Sequence, residues 1–275
     1  MTGGSINALV TGIRTDATGG RSNIQSQAAI VAPTGIHSTN TTGALITTSG
    51  GGTINSTSNG VGTGIIATSS GGNNLDTFAI NVGAAIGNVT AFATGVDLST
   101  TGSSTNSINL TTTAAITATA RAISVTAGTF GNAGTLSIGA NVTGATGLYT
   151  NVGDYAVNIA AGATVTSTGN TSSNGALYLL NGTNTVTNNG ALIASGTGSH
   201  GVHFSSDGLV TNTATGTISG SSGIWYQNVA SVNNAGTITG TGAANTAGVY
   251  GSSGASVTNT GTITGYDGVY SGGNP

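Results

Sequence analysis

The chain has 275 residues, of which 3% are charged, with a formal net charge of −3 and no Cys. That balance offers no basic field for a phosphate backbone and no disulfide or thiolate metal site. Residues of long helices are scarce and no apolar run approaches the roughly 18 residues of a membrane helix, so a helical fold is disfavoured and no membrane-spanning helix is expected.

From the N-terminus, a Gly followed by an apolar residue recurs at Gly12-Ile13, Gly35-Ile36, Gly64-Ile65 and Gly95-Val96. Arg121-Ala122 takes the next place, followed by Gly147-Leu148, Gly175-Ala176, Gly201-Val202, Gly223-Ile224, Gly248-Val249 and Gly268-Val269. A second anchor joins from Gly134-Thr135-Leu136 onward, at Gly162, Gly190, Gly216, Gly236 and Gly261. Val232 to Gly240 and Val257 to Gly265 repeat one another without a gap, and residues 134–275 hold the clearest copies. A period of this size marks one supersecondary unit stacked on itself, here about 11 irregular coils of roughly 20 to 31 residues. Each coil holds two or three short β-branched stretches between Gly, Asn and Ser. The expectation is an all-β fold, a right-handed parallel β-helix forming one β-solenoid array over residues 1–275. At a strand spacing of about 4.8 Å the rod is on the order of 50 Å long.

Alternation along a strand assigns the faces. The apolar residue of each Gly-apolar pair turns inward, and Ala176 beside Tyr178 reads as core filling. The residue after the apolar one turns outward, giving the row Arg14, His37, Ile66, Asp97, Ile123, Tyr149, Leu177, His203, Trp225, Tyr250 and Tyr270. Within it, Tyr149, His203, Trp225, Tyr250 and Tyr270 form a candidate surface-binding stripe of the kind that meets sugar rings or a partner protein. The bland reading is a strand row whose cross-coil pairs add about 0.2 to 1 kcal/mol each. Asn188, Asn212, Asn234 and Asn259 fall at one equivalent corner and read as a structural ladder.

The units Val257 to Gly265 and Gly268-Val269-Tyr270 resemble the passenger-domain repeats of Gram-negative autotransporters and related haemagglutinin-like adhesins. The resemblance implies a surface-exposed or secreted module, exported unfolded, acting in adhesion, self-association or display on a host or surface protein or glycan. It also implies a signal peptide and a β-barrel translocator. Neither is read here, and Met1 to Gly4 and Gly272 to Pro275 look like cut ends of a longer array.

No catalytic constellation is legible. The six carboxylates, Asp16, Asp76, Asp97, Asp154, Asp207 and Asp267, are scattered, whereas glycosidic cleavage needs two flanking one bond. No Gly-Asp-Ser-Gly nucleophile segment occurs. His200 and His203 would point to opposite faces of a strand, which opposes a shared metal. Gly50-Gly51-Gly52 lacks the Lys of a phosphate loop and reads as a turn. The expectation is a non-enzymatic module with no cofactor, no metal, no nucleic-acid partner and no membrane insertion. The alternatives are a fragment of a carbohydrate-active β-helix enzyme, or an ice- or surface-binding solenoid using Thr-x-Thr ladders such as Thr111 to Thr119. Uneven coils argue against the latter.

Overall fold

The computed structural model describes residues 4–71, 78–101, 107–128, 133–244 and 246–272. Met1 to Gly3, Asp76 and Gly273 to Pro275 lie outside the described residues. Among those described, the chain forms 31 strands and no helix. Every pairing is parallel, so the strands stack as a β-solenoid.

One coil illustrates the unit. Thr164–Ser167 lies on a first face, Gly175–Leu179 on a second and Asn184–Asn188 on a third. Each pairs with its counterpart one coil on, Ala191–Ala194, His200–Phe204 and Gly208–Asn212. Ten turns are completed, and Thr262–Thr264 and Asp267–Ser271 begin an eleventh.

Parallel stacking puts like residues on like, and the core is a set of aliphatic columns. On the first face Ile30, Ile54, Ile86, Ile116, Val142, Val165, Leu192, Ile218 and Ile238 follow one another, all buried. β-branched side chains suit this pleated surface, and each column shields its neighbours from water. On the second face Phe204 stacks on Tyr226 inside the core at 4.6 Å, and the Tyr226 hydroxyl donates to the Ser231 carbonyl at 2.9 Å. Gly208 makes room, because a Cβ there would lie 2.4 Å from the Phe204 ring.

The recurring Gly marks the bend between the first and second faces. A Cβ on Gly223 would lie 2.6 Å from Ile238 Cγ2 and 2.7 Å from the Gly248 carbonyl oxygen. Gly35, Gly64, Gly95, Gly201 and Gly248 meet the same pair of obstacles, an Ile Cγ2 and the next carbonyl. Two coils carry Ala instead, Ala122 and Ala176, both fully buried. Opposite Ala176 the next first-face residue is Leu192, which has no branch at Cβ; opposite Ala122 it is Val142, which keeps the branch, so its partner does not explain the Ala there.

These substitutions shift the register expected from sequence. Ile123 pairs with Val96 and Leu148, so it is inward and buried, and Ser124 takes the outward place. Leu177 pairs with Leu148 and Val202 and is buried, and Tyr178 is the outward residue, not core filling. Gly134 is also displaced: it lies on the third face opposite Tyr155, and the two-before-valine position corresponding to Gly190 is Ala140. By the same count Ala163, not Gly162, matches Gly190. The segment 111 to 119 turns a corner, with Thr111 and Thr112 on the third face and Thr117 and Thr119 in the following strand, Ile116–Thr126.

Candidate functional site

With the register corrected, the outward row on the second face reads Arg14, His37, Ile66, Asp97, Ser124, Tyr149, Tyr178, His203, Trp225, Tyr250 and Tyr270. Six consecutive coils, from Tyr149 to Tyr270, therefore carry a ring at one position. Sequence reasoning missed Tyr178, because Ala176 in the Gly slot hid the shift by one. The signal available was the lack of a Cβ branch in Leu192.

The rings touch in succession. Tyr149 and Tyr178 lie 5.8 Å apart between centroids. Tyr178 meets His203 edge-on at 4.5 Å, and His203 meets Trp225 at 4.4 Å. Trp225 and Tyr250 are stacked within 5° of parallel at 6.0 Å, and Tyr250 and Tyr270 within 8° at 4.7 Å. At the other end the Arg121 guanidinium sits 3.6 Å from the Tyr149 ring centre. A cation over an exposed ring adds about 0.5 to 1 kcal/mol, and each ring pair adds about 0.5 to 1.5 kcal/mol beyond burial. Tyr149, Tyr178, Trp225 and Tyr250 are half-buried and Tyr270 is exposed.

His200 joins the row from the side. Its ring stacks on Trp225 at 5.6 Å and lies 5.5 Å from His203, so the two histidines share one face. This overturns the opposite-face expectation. The bend at Gly201 resets the alternation: Gly201 and Val202 are both buried in succession, and the residues before and after them emerge on the same side. Both rings are buried. His203 Nδ1 donates to the Ser172 carbonyl at 2.9 Å, while His200 Nδ1 accepts from the Ser222 N–H at 3.3 Å. Burial disfavours the imidazolium and holds both pKa values down to about 4, the neighbouring His203 adding to the effect on His200. Both are neutral at pH 7. Among the described residues no group of three or more His or Asp is placed to hold a metal ion.

The described carboxylates sit on separate coils. Asp16 pairs its charge with exposed Arg14 at 2.7 Å. Asp97 is packed beside Ser124 and Arg121; burial raises its pKa, opposed by the Ser124 hydrogen bond and the Arg121 charge. Asp154 accepts from the Thr183 N–H at 2.6 Å. Asp154 and Asp207 fall in one column with Thr183 between them, about two strand spacings or roughly 10 Å apart.

The four corner asparagines are joined end to end. Asn188 Nδ2 donates to Asn212 Oδ1 at 2.8 Å, Asn212 to Asn234 at 2.8 Å and Asn234 to Asn259 at 2.7 Å. Each amide also donates to backbone carbonyls, those of Gly216 and Thr237 in the case of Asn212. Asn188, Asn212 and Asn234 are buried, which leaves those three amides no polar edge for a ligand.

No family model, curated protein or solved structure matches this chain.

Proposed function

We propose that this chain is a non-enzymatic β-solenoid module, displayed at a cell surface or secreted, that works in adhesion or self-association through the ring row of its second face. The observation that carries the reading is the unbroken succession of rings from Tyr149 to Tyr270 in a chain with 4% aromatic residues. Its likeness to autotransporter passenger repeats is the ground for surface display and for a host or surface partner.

The row's geometry favours a protein over a sugar. A sugar ring needs an aromatic face, and here the faces of Trp225 and Tyr250 are covered by their stacked neighbours. What the row presents outward is ring edges and tyrosine hydroxyls, chemistry that suits a partner protein or a second copy of the chain.

Replacing Trp225, Tyr250 and Tyr270 with Ser tests this. The expected outcome is loss of aggregation by cells displaying the chain, with far-UV circular dichroism unchanged. Undiminished aggregation by the folded triple variant makes the row a purely structural feature and refutes the reading.

A further inference from the structure

The outward side of the first face carries a regular array that the aromatic row does not involve. Its strands present two outward positions per coil, flanking the buried aliphatic column. One column runs Thr164, Ala191, Thr217, Thr237 and Thr262; the other runs Thr166, Ile193, Ser219, Thr239 and Thr264. Three coils are Thr-x-Thr and a fourth is Thr-Ile-Ser. The second column continues back to Thr143 and Thr117.

Three properties of the array point to one kind of surface. First, it is periodic in two directions: about 4.8 Å between strands and about 6.6 Å between the two positions on a strand. No register shift interrupts these pairings, although Leu192, Ile218, Ile238 and Ile263 are 26, 20 and 25 residues apart along the chain. The unevenness of the coils is taken up in turns elsewhere and leaves this face ordered. Second, no charged residue occupies either column, so nothing there holds a tightly bound hydration shell. Third, of the threonine hydroxyls in the two columns, only the Thr264 to Thr239 pair is joined within the chain, at 3.3 Å. The others face solvent, each beside its own methyl group.

A repeating lattice of paired methyls and unsatisfied hydroxyls, rigidly held by a parallel ladder, orders water into rows rather than binding a discrete solute. The oxygen rows on the prism faces of hexagonal ice repeat at a distance close to the strand spacing of the array, and their second repeat is somewhat longer than its spacing along a strand. The geometry points to the first face, from Thr164 to Thr264, as an ice-binding surface whose occupant is the ice lattice itself. Ala191 and Ile193 keep methyls and lose hydroxyls, leaving one apolar row within the array. This inference goes beyond the adhesive reading and stands apart from the aromatic row.

The test uses the full chain in nanolitre osmometry and in ice-affinity partitioning, where protein is recovered from a slowly grown ice hemisphere. The chain is expected to shape crystals, to show thermal hysteresis and to concentrate in the ice fraction. Thr217→Lys combined with Thr237→Lys is expected to abolish all three, because two charged, hydrated side chains stand at the centre of the array. Thr187→Lys, on the third face, is expected to leave them unchanged. Circular dichroism melts establish that each variant is folded. Absence of hysteresis and of ice partitioning in the folded wild-type chain overturns the proposal, as does full activity in the folded double Lys variant. Loss of cell aggregation in the aromatic triple variant with ice partitioning intact separates this result from the adhesive one.

Discussion

A Cβ added to Gly223 would lie 2.6 Å from Ile238 Cγ2, and the native exception at Ala176 faces Leu192 instead of Ile. The bend therefore couples two residues on adjacent coils. Gly223→Ala is expected to destabilise by about 1 to 3 kcal/mol through overpacking. Part of that loss should be recovered by Ile238→Leu, giving a coupling of at least about 0.5 kcal/mol in a double-mutant cycle read by denaturant unfolding. Strictly additive costs would show that the carbonyl of Gly248, not the Ile branch, sets the requirement. The same coupling explains what the sequence reveals and conceals. The inward Ile, Val or Leu after each Gly is readable because the core admits little else. At Ala176 the marker changes with its partner one coil away, Leu192, so the outward row slips by one and Tyr178 is lost from view. His200 is obscured differently, since simple alternation does not anticipate a bend that buries two successive residues.

Among the elements, the asparagine ladder at the corner after the third face does the most polar work. Its column begins with Ser26, Thr48, Val82, Thr112, Ile138 and Ile159, all buried, so the corner is buried from the first coil through Asn234 and Asn occupies it only from Asn188 onward. This ladder was legible from spacing alone, because Val-x-Asn recurs ahead of a Gly. Its burial was not, since an Asn next to a turn reads equally well as solvent-facing. Truncating Asn212 to Ala removes the donor to Asn234, Gly216 and Thr237 and the acceptor for Asn188. With buried partners left unsatisfied, the expected cost is about 2 to 3 kcal/mol. The equivalent change at exposed Asn259 should cost less than about 1 kcal/mol, and thermal melts of the two variants check the difference. Equal costs would mean that burial of the amides is unimportant to the corner.

Taken whole, the rod is held by columns and ladders and hardly at all by charge: one exposed ion pair, Arg14 with Asp16, is present among the described residues. Its pH dependence near neutrality therefore reduces to the buried histidines. The unfolded chain takes up their protons near the ordinary value of about 6.5, the folded chain only near 4. Between those values the unfolded state binds more protons, so stability is full above about pH 6.5 and falls as pH drops toward 4. The loss amounts to about 3 kcal/mol per histidine at most. Replacing both His200 and His203 with Phe should flatten the unfolding midpoint between pH 7 and 5. A profile unchanged by that substitution would place the titration elsewhere.

The stacking of Trp225 on Tyr250 also gives the chain an optical handle. Trp225 is the only tryptophan, it lies two coils from the last strand pair, and its indole plane is within 5° of parallel to the phenol stacked on it. Transition dipoles held that close couple, and the near-ultraviolet circular dichroism of the folded rod should carry a contribution from this contact that Tyr250→Ser removes. Excitation energy gathered by Tyr250 also drains into the indole, so tyrosine-excited emission reports whether those two coils are still in register. Separation of the last coils would thus be visible as a loss of tyrosine-sensitised indole emission.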